Sequence, residues 1–135
     1  MADKVEFELV SPTKLLYTGA VDMVVVPGAE GDFGVLPGHA PVISQVRPGV
    51  IAVHDEGKVG SHIFVGGGFA EVTQTRLTVL AEEAVPVADI DRAGAESRLA
   101  AARTQVGEAD NARDKAAAER EVAICEAMIA AAGRA

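Results

Sequence analysis

Tryptophan is absent from this 135-residue chain, and its aromatic content stops at four Phe and one Tyr. Any core must therefore be built mainly from Val, Ile, Leu and Ala. The single cysteine, Cys125, excludes an intramolecular disulfide and cannot supply a zinc knuckle. No run of about 18 apolar residues is present, so no segment reads as a membrane-spanning helix. Basic residues are short, 12 against 20 acidic ones, for a formal net charge of −8 and a pI near 4.8. That balance repels phosphate backbones and anionic lipid, and argues against nucleic-acid binding and electrostatic anchoring on a membrane. Met1-Ala2-Asp3-Lys4 offers neither a hydrophobic signal core nor an Arg-rich transit helix. The expectation is a protein of the cytosol, or one bound to something facing it. What the chain does have, 49% hydrophobic residues with 24% charged, is a globular composition of one-domain size, with room for a small appendage.

The composition breaks near Val87. All six prolines, all five aromatics and eleven of the fourteen glycines precede it, whereas sixteen of the 47 residues from Asp89 onward are alanine. The first part reads as strands with turn punctuation and the second as helix. This sets expected boundaries at 1–87 and 88–135. In the first part, Val5-Glu6-Phe7-Glu8-Leu9 alternates as a half-buried strand does, and Met23 to Val26 is a continuous apolar run closed by Pro27-Gly28. Gly49–His54 and Val59–Val65 flank Asp55-Glu56-Gly57-Lys58, and Phe69–Val72 and Leu77–Ala81 flank Thr73-Gln74-Thr75-Arg76, two expected hairpins. Short strands at this spacing predict an antiparallel β sandwich or barrel.

In the second part, Ala95, Leu99, Ala102 and Val106 form one helical stripe, and Ala118, Val122, Cys125, Ile129 and Ala132 another. A break over Gly107–Asn111, with Asp110 or Asn111 as N-cap, predicts an antiparallel helical hairpin. Ala117, Ile124, Met128 and Ala131 make a second apolar line, facing either the sandwich or a partner. Alanine seams bury little area, which predicts a weakly docked hairpin.

No chemistry emerges from the reactive side chains. His54 and His62 lie on expected strands beside a turn, and His39, Glu30 and Asp32 share a loop without metal-ligand spacing. Cys125 sits on an apolar stripe as a small hydrophobe. No serine has a nucleophile-elbow setting, and Gly66-Gly67-Gly68 lacks the Lys-Ser/Thr and the helix of a phosphate loop. It reads as a bulge or a close strand approach. The expectation is no catalytic residue, no metal and no cofactor. A docking surface remains: residues 27–41, a loop stiffened by proline and turned by glycine, presenting Glu30, Asp32 and His39.

That loop also carries a family resemblance. Val26-Pro27-Gly28-Ala29-Glu30-Gly31-Asp32-Phe33-Gly34-Val35-Leu36-Pro37-Gly38-His39-Ala40-Pro41 is similar to the matching stretch of the epsilon subunits of bacterial and chloroplast F-type ATP synthases, counterparts of the mitochondrial delta subunit. Arg47-Pro48-Gly49-Val50-Ile51, Gly67-Gly68-Phe69-Ala70-Glu71-Val72 and Leu77-Thr78-Val79-Leu80-Ala81 extend the likeness from residue 5 to 83, and the Ala-rich tail completes it. The resemblance implies a sandwich of about ten strands followed by two antiparallel helices. It implies a non-catalytic subunit of the central rotor, packed on the gamma subunit and standing on the membrane ring of c subunits. In the family the 27–41 loop faces the ring; Asp32 and His39 match the positions that meet c-subunit loops, and Glu30 is their neighbour. The implied location is peripheral, on the cytoplasmic face of the bacterial plasma membrane, without insertion into the bilayer.

In many relatives the hairpin extends into the catalytic head, touches alpha and beta subunits and blocks ATP hydrolysis, which makes residues 88–135 the implied regulatory element. Here Arg113, Lys115 and Arg120 are offset by Asp114, Glu119, Glu121 and Glu126, so the attraction to an acidic region of beta implied for relatives is weak. Some relatives bind ATP through an Ile/Leu-Asp-x-x-Arg-Ala motif. Ile90, Asp91 and Ala95 fit it, but Gly94 stands at the arginine position, and Arg92 points about 200° away around a helix.

Overall fold

The computed structural model describes residues 4–133. Ten strands come first: β1 (Val5–Ser11), β2 (Lys14–Val21), β3 (Met23–Gly28), β4 (Gly31–Val35), β5 (Val42–Val46), β6 (Gly49–Asp55), β7 (Lys58–Val65), β8 (Gly68–Val72), β9 (Arg76–Ala81) and β10 (Ala84–Pro86). A 3-10 turn, Val87–Asp89, leads to the helices α1 (Arg92–Glu108) and α2 (Ala112–Ala132). The strands form one continuous sheet in the order β10-β7-β6-β3-β5-β8-β9-β1-β2, with β4 paired to β3. The expected sandwich and helical hairpin are both present.

Three expectations need correction. The sheet is not wholly antiparallel, because β1 lies parallel to β9, with Phe7 opposite Leu77 and Leu9 opposite Val79. That pairing joins strands far apart in sequence, which alternation within either one cannot reveal. Residues 27–41 are not one loop: Gly31–Val35 forms β4, hairpinned to β3 across an Ala29-Glu30 turn, and only Leu36–Pro41 is irregular. The helical break is shorter than expected. Gly107 belongs to α1, and only Ala109–Asn111 separates the helices, with Asn111 accepting from the Asp114 N–H at 2.8 Å as N-cap.

The two expected hairpins form. Between β6 and β7, Glu56 and Gly57 both take positive φ, 55° and 74°, the conformation of a type I′ turn whose twist suits paired strands. The inner face of the sheet buries Val5, Phe7, Leu9, Val24, Val26, Ile51, Val53, Leu77 and Val79 in one aliphatic cluster. The sheet bends where β3 meets β5 through one residue pair, Gly28 with Val46, and where β7 passes into β8 through Gly66 and Gly67. Glycine is required at this bend. A Cβ on Gly68, at φ +138°, would lie 2.0 Å from the Leu80 carbonyl oxygen, so the triple glycine is a close approach of backbones.

Outside the bend the sheet has two surfaces. On one, the cross-strand row Val85-Phe64-Val50 is covered by the hairpin, and Phe64, Val87, Ala95, Met128 and Ala131 form a second buried cluster. The second apolar line of α2 thus faces the sandwich. Because the larger cluster contains no helical residue, we expect residues 1–88 to fold without the hairpin. A chain truncated after Ala88 should give a cooperative thermal melt at a lowered midpoint. An unfolded circular dichroism spectrum would overturn the division.

Candidate functional site

The β3–β4 hairpin ends in a tip that its own backbone sets. Gly28 and Gly31 pair across it, and a Cβ on Gly28 would come within 2.7 Å of the Gly31 carbonyl oxygen and 2.9 Å of the Phe33 ring. The Arg47 guanidinium, from the segment after β5, donates to the Gly28 carbonyl at 2.5 Å and to Asp32 Oδ1 at 2.6 Å. Two backbone bonds add to this clamp, Arg47 N–H to Pro27 O and Ala29 N–H to Gln45 O, both 2.9 Å. The tip is therefore rigid, with Glu30 exposed at its end and Asp32 exposed but paired.

His39 lies in the segment that follows. Gly38 takes φ +85° and donates its N–H to Gln74 O at 2.7 Å, which fastens the turn to the β8–β9 connection. His39 Nδ1 lies 2.7 Å from the Ala40 carbonyl oxygen, and its ring centroid is 6.4 Å from that of Phe33. Asp32 and Phe33 are successive strand residues and point to opposite faces. The structure thus joins Glu30 and Asp32 on the tip and sets His39 beside the Phe33 face.

The nucleotide-motif residues sit elsewhere. Ile90 packs with the cluster around Phe64 and Val87, and Ala95 is buried within it. Asp91 is the N-cap of α1, its Oδ1 accepting from the Gly94 N–H at 3.1 Å. A Cβ on Gly94 would meet Asp91 Oδ2 at 2.5 Å, so the glycine makes room for the capping carboxylate. Of the remaining suspects, His62 is exposed, His54 is half-buried and Cys125 is buried. Burial pushes the Cys125 thiol pKa up, with the Glu121 carboxylate adding to the shift, so the thiol stays protonated and unreactive.

A second surface escaped the sequence reading. Register places Phe69 opposite Leu80, Leu80 opposite Val10, and Val10 opposite Leu15, one apolar row across β8, β9, β1 and β2 on the outer face. Phe69, Leu80 and Leu15 are 51%, 57% and 53% exposed, and Ile43 on β5 is 72% exposed. The signal lay in Leu77-Thr78-Val79-Leu80-Ala81, where Leu80 is apolar on the face that alternation assigns to solvent. Which strands line up beside it required the register. This is the outer surface the hairpin leaves uncovered.

Comparison with known proteins fits this architecture. Residues 4–87 match the family described as ATP synthase, Delta/Epsilon chain, beta-sandwich domain. The ATP synthase epsilon chain of Paramagnetospirillum magneticum is 60% identical, the match covering 97% of this chain and 98% of that one. That of Rhodospirillum rubrum is 53% identical over the same shares. Among solved structures, a chain of the Euglena gracilis mitochondrial ATP synthase OSCP/F1/c-ring assembly superposes with a TM-score of 0.79 at 27% identity, over 96% of this chain and 81% of that one. A chain of the Tetrahymena thermophila central stalk and c-ring shares the fold, with a TM-score of 0.65 at 16% identity over 96% of each chain. With the sandwich matched from end to end and relatives aligned along nearly its whole length, the chain belongs to the delta/epsilon-chain family of ATP synthase subunits.

Proposed function

We propose that this protein is a non-catalytic central-stalk subunit of an F-type ATP synthase. In this reading it is seated on gamma through the bare row Phe69-Leu80-Val10-Leu15 and on the c-subunit ring through the β3–β4 tip. The observation that carries the proposal is the unequal covering of the sheet: one outer surface is sealed by the hairpin, the other carries an open apolar row. An open apolar surface of this kind marks a protein interface, and relatives in solved structures come from assemblies that contain F1, a central stalk and a c-ring. The protein would lie peripherally on the cytoplasmic face of the bacterial plasma membrane, and no helix among the described residues is long and apolar enough to cross it. The hairpin, residues 88–135, would be a weak brake on ATP hydrolysis through alpha and beta. The charges along α2 nearly cancel, so its attraction to an acidic surface is small.

The seat on gamma predicts a clean separation of binding from folding. Phe69→Asp and Leu80→Asp place charges on an already exposed face, so thermal midpoints should stay close to wild type. Co-purification with gamma should be lost, because burying each unpaired carboxylate would cost several kcal/mol. Retained gamma binding by both variants would sink this assignment.

The ring contact predicts a different phenotype. Asp32 and His39 are held at the surface rather than in the core, and replacing both with Ala should alter stability by less than about 0.5 kcal/mol. Proton-pumping membranes carrying the double variant should show ATP hydrolysis poorly coupled to pumping. A large fall in melting temperature would identify these residues instead as structural supports.

For nucleotide, Asp91 is occupied as a cap and Ile90 and Ala95 as packing, with no arginine at position 94. Titration calorimetry of the isolated protein with Mg-ATP should find binding weaker than about 1 mM, a standard free energy smaller than about 4 kcal/mol. Micromolar affinity would overturn this.

A further inference from the structure

One side chain ties the hairpin to the sandwich by charge. Arg98, on α1, donates through Nη1 and Nη2 to both carboxylate oxygens of Glu83, at 2.7 and 3.1 Å, and through Nε and Nη2 to Glu121 Oε2, at 3.0 and 2.8 Å. Glu83 belongs to the β9–β10 connection and Glu121 to α2, so one guanidinium joins all three parts of the molecule. Its partner Glu83 sits at the bend itself, where its carbonyl accepts from the Gly66 N–H at 2.7 Å. The rest of the contact is apolar: the cluster of Phe64, Val87, Ala95, Met128 and Ala131, with Ile124 seated where Gly66 has no side chain. The seam between the helices themselves is slighter, burying Ala102 and Ala118, each contributing a single methyl. The other ion pair between the helices, Arg103 with Glu126, is more exposed and does not touch the sandwich.

We propose that Arg98 is an electrostatic latch whose paired contacts with Glu83 and Glu121 set how often the hairpin leaves the sandwich. A bidentate fork is among the stronger ion-pair geometries. Arg98 and both partners nevertheless remain about one-third exposed, at 37%, 36% and 34%, so salt reaches the pair and screens it. Docking then rests on the apolar cluster around Phe64 plus a contact that ionic strength can weaken. A hairpin fastened through a hydrophobic seam alone would be indifferent to moderate salt.

The chain carries its own reporter. Cys125 is the only cysteine, is fully buried, and lies with its Sγ 3.7 Å from Glu121 Oε2, beside the latch. Its rate of modification by Ellman's reagent counts openings of the hairpin, and hydrogen exchange in β1 and β9 shows whether the sandwich stays closed meanwhile. The experiment uses the isolated full-length protein, so its outcome is separate from the rotor assignment. Wild-type labelling should be slow at low salt and accelerate as sodium chloride is raised from about 20 mM to about 500 mM. Arg98→Gln should label roughly tenfold faster at low salt and lose most of that salt dependence, with strand protection unchanged. Glu83→Gln, nearly the same shape, should do likewise. Labelling of Arg98→Gln within twofold of wild type, or wild-type labelling indifferent to salt, overturns the latch. Loss of strand protection in both Arg98→Gln and Glu83→Gln overturns it too, by making this cluster part of the sandwich's own stability.

Discussion

A sheet of ten strands can enclose a core only if it bends sharply, and bending brings backbones closer than side chains allow. Here the bend is made of glycine. Gly28 meets Val46 at the crossing from β3 to β5, Gly68 faces the Leu80 carbonyl, and Gly66 and Gly67 carry β7 into β8. Two of the candidate functional features are built out from that place. The β3–β4 tip starts at Gly28, whose carbonyl holds Arg47. Helix α2 seats Ile124 on Gly66, and Glu83, paired to Gly66 through its backbone, receives Arg98. At another edge, Lys4 reaches Asp55 at 2.5 Å and Glu56 at 3.2 Å, tying the start of β1 to the β6–β7 turn. The Asp55 carboxylate raises the Lys4 pKa, and the ammonium in turn lowers that of Asp55.

Much of this was legible in the residues, because alternation and helical spacing are local signals. Val5 to Leu9, the Glu56-Gly57 turn and the two alanine stripes could be read directly, and the inward line of α2 through Met128 and Ala131 could be drawn, though not assigned to a surface. What escaped depends on pairing between distant segments. The parallel match of β1 with β9 has no local mark, and β2, β5 and β10 lack a clean alternation. Gly31–Val35 hid as a strand because its glycines and its neighbours, Pro27 and Pro37, look like loop punctuation, yet Gly31 takes a φ of +138° that favours glycine, and a Cβ on Gly34 would lie 3.3 Å from the Met23 sulfur.

The candidate site divided in the same way. Glu30, Asp32 and His39 could be named from composition and from a family likeness, since each stands in a Gly/Pro-rich stretch of unusual specificity. That Arg47 holds Asp32 could not be foreseen, because the two are separated by fifteen residues and by a strand. The apolar row through Phe69 and Leu80 could not be assembled before β8, β9, β1 and β2 were aligned. Asp91 shows the converse: a residue matching a nucleotide motif that is occupied here in starting a helix.

The division of the outer sheet into a sealed half and an open half has a mechanical consequence. Val50, Phe64 and Val85 lie on β6, β7 and β10, whereas Val10, Leu15, Phe69 and Leu80 lie on β1, β2, β8 and β9. The two sets share no strand. A load carried through the second set would pass around the first, so a hairpin released from the first would leave a grip on the second intact.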